Sequence, residues 1–402
     1  MDQNIEKFDL AIIGASLAGN YLCFLLANTN LRILVIEEHK EIGLPFQCAG
    51  IVSQKLVQLI DIPKDIILNR VSVAKIVAPS GKFIQLSGDE NPYIIDRIAL
   101  DRLFYEKAKN HENVSFYLGE KFESFKYIKD NHEKFVLFKT SKREVKAKML
   151  IGCDGPLSLV GKILGIKNKV IYASQIRMKG TFNQNNAVMY FDPKWKEFFG
   201  WIVPEGNQIY RIGIASSKKI ATKFKLFTKT LGIDLKQKID QQGGIIPFGM
   251  MNKIAFDNIL LLGDSACQVK ATTGGGIVML LTCAKIAANC LIKCFKTNNF
   301  SKKFIKINYE KPCASKVGKQ LKIHYIIRSL LVKFTKKDFE KFFQIIKTSK
   351  IEHLISIYGD MDFPKEIIFK LIKNPLVFTF LIRFILKDPN LFIVLLKILF
   401  KR

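Results

Sequence analysis

The feature that most constrains this chain is a glycine turn near its N-terminus. Residues 8–13 form a short apolar run that ends in Gly14, and Gly14-Ala-Ser-Leu-Ala-Gly19 leads into residues 16–28, which have helical length and apolar content. Residues 33–36 are a second apolar run, closed by Glu37. Short apolar runs of this kind read as buried parallel strands, so the segment is a strand–turn–helix–strand unit. Gly14 suits a tight turn and Gly19 close helix–strand packing, with the helix N-terminus aimed at a pyrophosphate. Ser16 occupies the middle glycine position of G-x-G-x-x-G, so a small side chain must be tolerated beside the phosphates. Glu37 lies 18 residues past Gly19, where an acid hydrogen-bonds a ribose hydroxyl and repels a 2′-phosphate. The unit predicts an α/β, Rossmann-type dinucleotide-binding domain.

Further along, residues 71–79 and 82–87 read as strands joined at Ser80-Gly81, a hairpin signal. Residues 96–110 read as a helix that Asp96 is suited to cap. Residues 149–153 and 259–262 are buried strands that each run into a glycine motif, and 171–216 carry strand-like stretches around aromatic residues. The later motif, Leu260-Leu-Leu-Gly263-Asp264-Ser265-Ala266, is followed by Gly274-Gly275-Gly276 and Ile277. Three glycines offer the bare backbone that close approach to a flat ring requires. From about residue 304 the pattern is helical, with apolar and Lys residues interleaved.

The Gly263-Asp264 strand resembles the G-D-A signature of the flavoprotein hydroxylase superfamily, in which the aspartate lies near the ribityl and pyrophosphate groups of FAD. Gly152-Cys153-Asp154-Gly155 with Ser158 resembles that superfamily's middle motif, and Asp96-Arg97 with Asp101 its D-R-x-x-L/F-D helix start. Gly43-Leu-Pro45-Phe-Gln-Cys48-Ala49-Gly50 and Phe199-Gly-Trp201-Ile-Val-Pro204 narrow the resemblance to the geranylgeranyl reductase family, as does Gly243-Gly-Ile-Ile-Pro247. The similarity runs from about residue 8 to 299. Departures are Ser16, Val203 where Phe is usual, and Val269-Lys270 where many members carry Asp-Pro.

The resemblance implies FAD as cofactor, with Gly14, Ser16, Gly19, Glu37, Cys48, Ala49, Arg97, Asp264, Gly275, Gly276 and Ile277 as its candidate contacts. It implies hydride transfer from reduced flavin to one carbon of a prenyl double bond and protonation of the other, with Cys48 and Trp201 as candidate catalytic residues. The substrate would be a prenyl lipid or prenyl diphosphate, and the electron donor NAD(P)H or a ferredoxin-like protein. The alternative on the same fold is a flavin monooxygenase or halogenase, because fold does not fix chemistry. The implied organisation is an FAD-binding domain from residues 1–70, 96–170 and 250–300, an inserted mixed-sheet substrate domain from 71–95 and 171–249, and a basic helical region over 301–402.

Eight cysteines form no C-x-x-C pair and lack spaced His partners, which argues against zinc or iron–sulfur sites and against a disulfide framework. No metal is expected. The formal charge is +28, and half of it lies in residues 301–402, with 22 Lys and Arg against 8 Asp and Glu. Such a surface attracts anionic partners. The basic residues lack the aromatic interleaving of a nucleic-acid module, so an anionic membrane surface is expected rather than nucleic acid. Residues 376–386 and 391–400 are apolar runs separated by Lys387-Asp388-Pro389-Asn390. Each is too short to span a bilayer and suits an interfacial position. The start, Asp2-Gln-Asn-Ile-Glu-Lys, carries no signal-peptide pattern, so the expectation is a cytoplasmic protein peripheral on the membrane.

Overall fold

The structure is a computed structural model that describes residues 5–388 apart from 89, 131, 132, 196 and 252; the apolar run 391–400 lies outside the described residues. The strand Glu6–Ile13 pairs in parallel with Ile33–Glu37 on one side and Glu144–Gly152 on the other. Val114–Leu118 and Ile259–Leu261 extend this parallel array at its two ends. Four successive residues of Ile33–Glu37 are buried, as expected of a strand covered on both faces. Leu17–Leu26, Arg97–Lys109 and Ile277–Thr297 supply that cover, sharing one core with the sheet. Asp96 caps the middle helix, accepting from the backbone N–H groups of Ile98 and Ala99. An antiparallel hairpin, Phe122–Asp130 with Glu133–Thr140, adds to the N-terminal half of Glu144–Gly152.

A second, seven-stranded sheet runs in the order Lys238–Phe248, Lys169–Lys179, Ile209–Ser216, Gly200–Gly206, Asn186–Tyr190, Val73–Val77, Phe83–Leu86. Only the pairing of Asn186–Tyr190 with Val73–Val77 is parallel among these. The sheet is therefore mixed, and the hairpin at Ser80-Gly81 forms as the turn chemistry predicts. One face packs the helix Ile220–Thr230 through Phe224 and Phe227. The other face gathers Val71, Ala187, Phe199, Trp201 and Val203, and it is this face that borders the site.

The C-terminal helices divide their packing. Ile305, Tyr309, Cys313, Val317 and Leu321 join the core of the parallel sheet, with the Tyr309 hydroxyl donating to Leu261 O at 2.6 Å. Phe334, Phe339, Phe343, Val377 and Phe380 build a separate cluster against Ala78 and Ile84. Among the described residues only Ile277–Thr297 is long and apolar enough to cross a membrane, and Val278, Leu281, Ala284, Leu291 and Cys294 on it are buried in the protein core. All eight cysteines are free thiols.

Candidate cofactor and substrate site

At the first turn, Gly14 has φ +101°, and a Cβ there would stand 2.4 Å from Cys153 O. A Cβ on Gly19 would stand 1.9 Å from Gly14 O. Both contacts are with backbone, so neither position admits a side chain. Ala15 N–H donates to Glu37 Oε2 at 2.8 Å, which holds the carboxylate across the strand ends. Ser16 is exposed at the helix N-cap and its hydroxyl makes no cap bond. It accepts instead from Arg97 Nη2 at 3.2 Å. Arg97 also pairs with buried Asp101 one turn along its helix. Burial works against charge on Arg97, but Asp101, Cys48 and Asp264 more than offset it and raise its pKa.

Asp264 follows the last parallel strand and is half-buried. Burial pushes its pKa up to about 6, with the charge of Arg97 opposing. A Cβ on Gly276, the N-cap of Ile277–Thr297, would lie 3.5 Å from Asp264 Oδ1. The Asp264 carboxylate thus stands beside the N-terminus of Ile277–Thr297, and the Gly14–Gly19 turn opens the first helix without room for a side chain. FAD fits this donor set. The tight turns leave room for backbone alone to approach phosphate, the helix starts favour an anion, and Asp264 presents a half-buried carboxylate beside them.

The loop that carries Cys48 is fixed from the second sheet. Cys48 Sγ accepts from Gly50 N–H at 3.3 Å. Buried Arg211 donates to Ala49 O at 3.0 Å and Ile95 O at 3.3 Å, and its Nε donates to Glu205 at 2.8 Å. Trp201 Nε1 donates to Gln175 Oε1 at 2.7 Å, and Gln175 Nε2 donates to Cys48 O at 3.3 Å. Gln175 therefore ties the indole to the cysteine loop. Cys48, Ala49, Trp201 and Gly275 line one cavity of about 430 Å³ with Val71, Ala187, Phe199, Val203 and Ile246. Gly14, Ser16, Gly19, Glu37, Arg97, Asp264, Gly276 and Ile277 lie outside that cavity, grouped at the strand ends and helix starts.

Several residues of the site carry no sequence signal. Gln175 and Arg211 act through partners in the Cys48 loop that only the fold brings close, and while Lys270 stands out as a departure from the family pattern, its partner Asp362 lies 92 residues away. Glu90, Asp360 and Asp362 bring carboxylate oxygens within 4.8 Å of one another. Asp360 and Asp362 already hold Lys55 at 2.8 Å and Lys270 at 2.5 Å.

The fold and the site define an FAD-dependent oxidoreductase. Residues 7–217, more than half of the chain, match the FAD binding domain family, and the chain belongs to it. Its Cys48 and Trp201 motifs resemble those of the geranylgeranyl reductases. An uncharacterized protein of Methanocaldococcus jannaschii is 27% identical over 92% of this chain and 96% of its own. The digeranylgeranylglycerophospholipid reductase of Methanococcus vannielii is 26% identical over 75% of this chain and 80% of its own. Among solved structures, a geranylgeranyl bacteriochlorophyll reductase-like protein of Thermoplasma acidophilum superposes with a TM-score of 0.80 at 22% identity, covering 96% of this chain and 100% of that one. The p-nitrophenol 4-monooxygenase of Pseudomonas putida superposes at 0.65 with 14% identity, over 88% and 97%. At these identities the structural likeness speaks to fold alone.

Proposed function

We propose that the protein reduces carbon–carbon double bonds in geranylgeranyl chains of membrane lipids, with FAD as cofactor. The observation that carries this reading is the apolar cavity of about 430 Å³ whose wall holds both the Cys48 loop and Trp201. A cavity of that kind excludes water and suits a prenyl chain. Reduced FAD, when bound, supplies the hydride. The chain supplies position and dryness. Arg211 and Gln175 hold the Cys48 loop and the indole in fixed relation, and Cys48 and Trp201 face the reacting chain. Isolated alkenes are poor hydride acceptors, so orientation carries much of the rate.

The substrate is a prenyl lipid or prenyl diphosphate, and the electrons come from NAD(P)H or a ferredoxin-like donor. The protein works in the cytoplasm at an anionic membrane surface, which its charge of +28 favours. The test is single turnover. Anaerobically reduced enzyme mixed with a geranylgeranyl lipid is expected to regain oxidised-flavin absorption, and Cys48→Ala to keep FAD while slowing that step at least tenfold. If reoxidation requires oxygen and ignores the lipid, the monooxygenase reading replaces this one.

A further inference from the structure

Lys270 is a buried cation that the reading above does not use. It is 5% exposed, yet it lines the cavity beside Gly275. A Cβ built on Gly275 would meet Lys270 Cε at 2.8 Å and Nζ at 3.1 Å, so the ammonium lies against the glycine turn itself. Its charge is held from a distant segment. Nζ donates to Asp362 Oδ1 at 2.5 Å and to Met361 O at 3.1 Å, and Asp362 is 1% exposed. The second oxygen of Asp362 accepts from Ser53, and its backbone oxygen lies 3.3 Å from His324 Nε2. His324 in turn meets Thr272 through Nδ1 at 2.6 Å.

We infer that the Lys270 ammonium is a fixed positive charge of the flavin site that favours reduced over oxidised cofactor. The inference rests on the proposed reading in which the Gly274-Gly275-Gly276 turn receives the flavin ring. A two-electron-reduced flavin carries negative charge that the oxidised form lacks. A cation in a dry cavity therefore stabilises one redox state selectively, and more strongly than it would in water. Asp362, itself buried, pairs with the ammonium and offsets the cost of burying it. Nζ thus touches the Gly275 turn while it stays bonded to Asp362.

The test is the midpoint potential of bound FAD in the intact holoenzyme, measured by dye-equilibrated reductive titration. Lys270→Arg keeps the charge and is expected to keep the potential. Lys270→Met is expected to shift the equilibrium at least tenfold toward oxidised flavin, about 30 mV for two electrons. That variant leaves Asp362 unpaired and buried, which destabilises the fold. The double variant Lys270→Met with Asp362→Asn removes both charges at no net change, and its potential is expected to shift in the same direction by less than in Lys270→Met. A folded, FAD-bound double variant at the wild-type potential overturns the inference and leaves Lys270 as a strut, as does a Lys270→Arg potential that falls with the Met variants. A wild-type protein that takes up no FAD would refute the flavin reading instead, so the two failures are distinct.

Discussion

Asp264 and His324 titrate in opposite senses across the same acid range. Burial raises Asp264 to about 6, against the opposing charge of Arg97. Burial, helped by the charge of Lys270, lowers His324 to about 4. Below its folded value Asp264 takes its proton first in the folded state, so it adds stability as pH falls from 6 toward its ordinary carboxylate value. His324 takes its proton first in the unfolded state, so it removes stability as pH falls from 6.5 toward 4. Each effect is of order 3 kcal/mol at most, smaller for half-buried Asp264, and in the native sequence they largely cancel. Urea midpoints of FAD-free protein between pH 6.5 and 4 check this. Asp264→Asn should lose stability steeply with acid while His324→Asn gains relative to it, and parallel profiles would contradict the assignment.

The cavity wall depends on how two strands share space. Gly213 on Ile209–Ser216 pairs with Trp201 on Gly200–Gly206, and a Cβ at Gly213 would stand 2.3 Å from Trp201 Cζ2. Gly213→Ala should cost about 1–3 kcal/mol through overpacking and break the bond from the indole to Gln175. FAD occupancy should survive while turnover falls at least tenfold and tryptophan emission shifts; unchanged turnover would make Trp201 a packing residue. The strand–turn–helix–strand unit and the Gly263-Asp264 strand were legible in the sequence because each is local: an apolar run, then a glycine with no room for a Cβ. The Asp96 cap was legible for the same reason. Gln175 and Arg211 were not, since nothing in their own neighbourhoods marks them; their partners come from the Cys48 loop, 127 and 162 residues away. The hairpin Phe122–Asp130 with Glu133–Thr140 has no local marker either. Lys126, Lys129, Lys134 and Lys139 dilute its apolar residues, and pairing with Glu144–Gly152 settles it.

At the scale of the whole molecule, the C-terminal helices both close the cavity and offer a surface. Ile355, Asp360 and Ile367 reach the cavity wall. Helix Pro375–Leu386 buries Val377, Phe380 and Ile385 but leaves Leu376, Phe378 and Leu386 exposed at 55%, 47% and 65%. Since one face is packed, deleting the helix would bare a core, and Leu376→Ser with Phe378→Ser is the cleaner probe of membrane docking. Flotation with anionic liposomes should be strong at low salt, weaken as salt rises, and drop severalfold in that variant with its thermal stability kept. Each basic residue near such a surface contributes about 1 kcal/mol, so a full-length protein that stays unbound at low salt would rule the docking out. The central claim, that this flavoprotein saturates prenyl chains, is tested most directly by mass spectrometry of a geranylgeranyl lipid after anaerobic incubation with chemically reduced enzyme. The expected product is heavier by two hydrogens for each bond reduced and contains no added oxygen. An unchanged lipid under these conditions, with an oxygenated product appearing only in air, would contradict it.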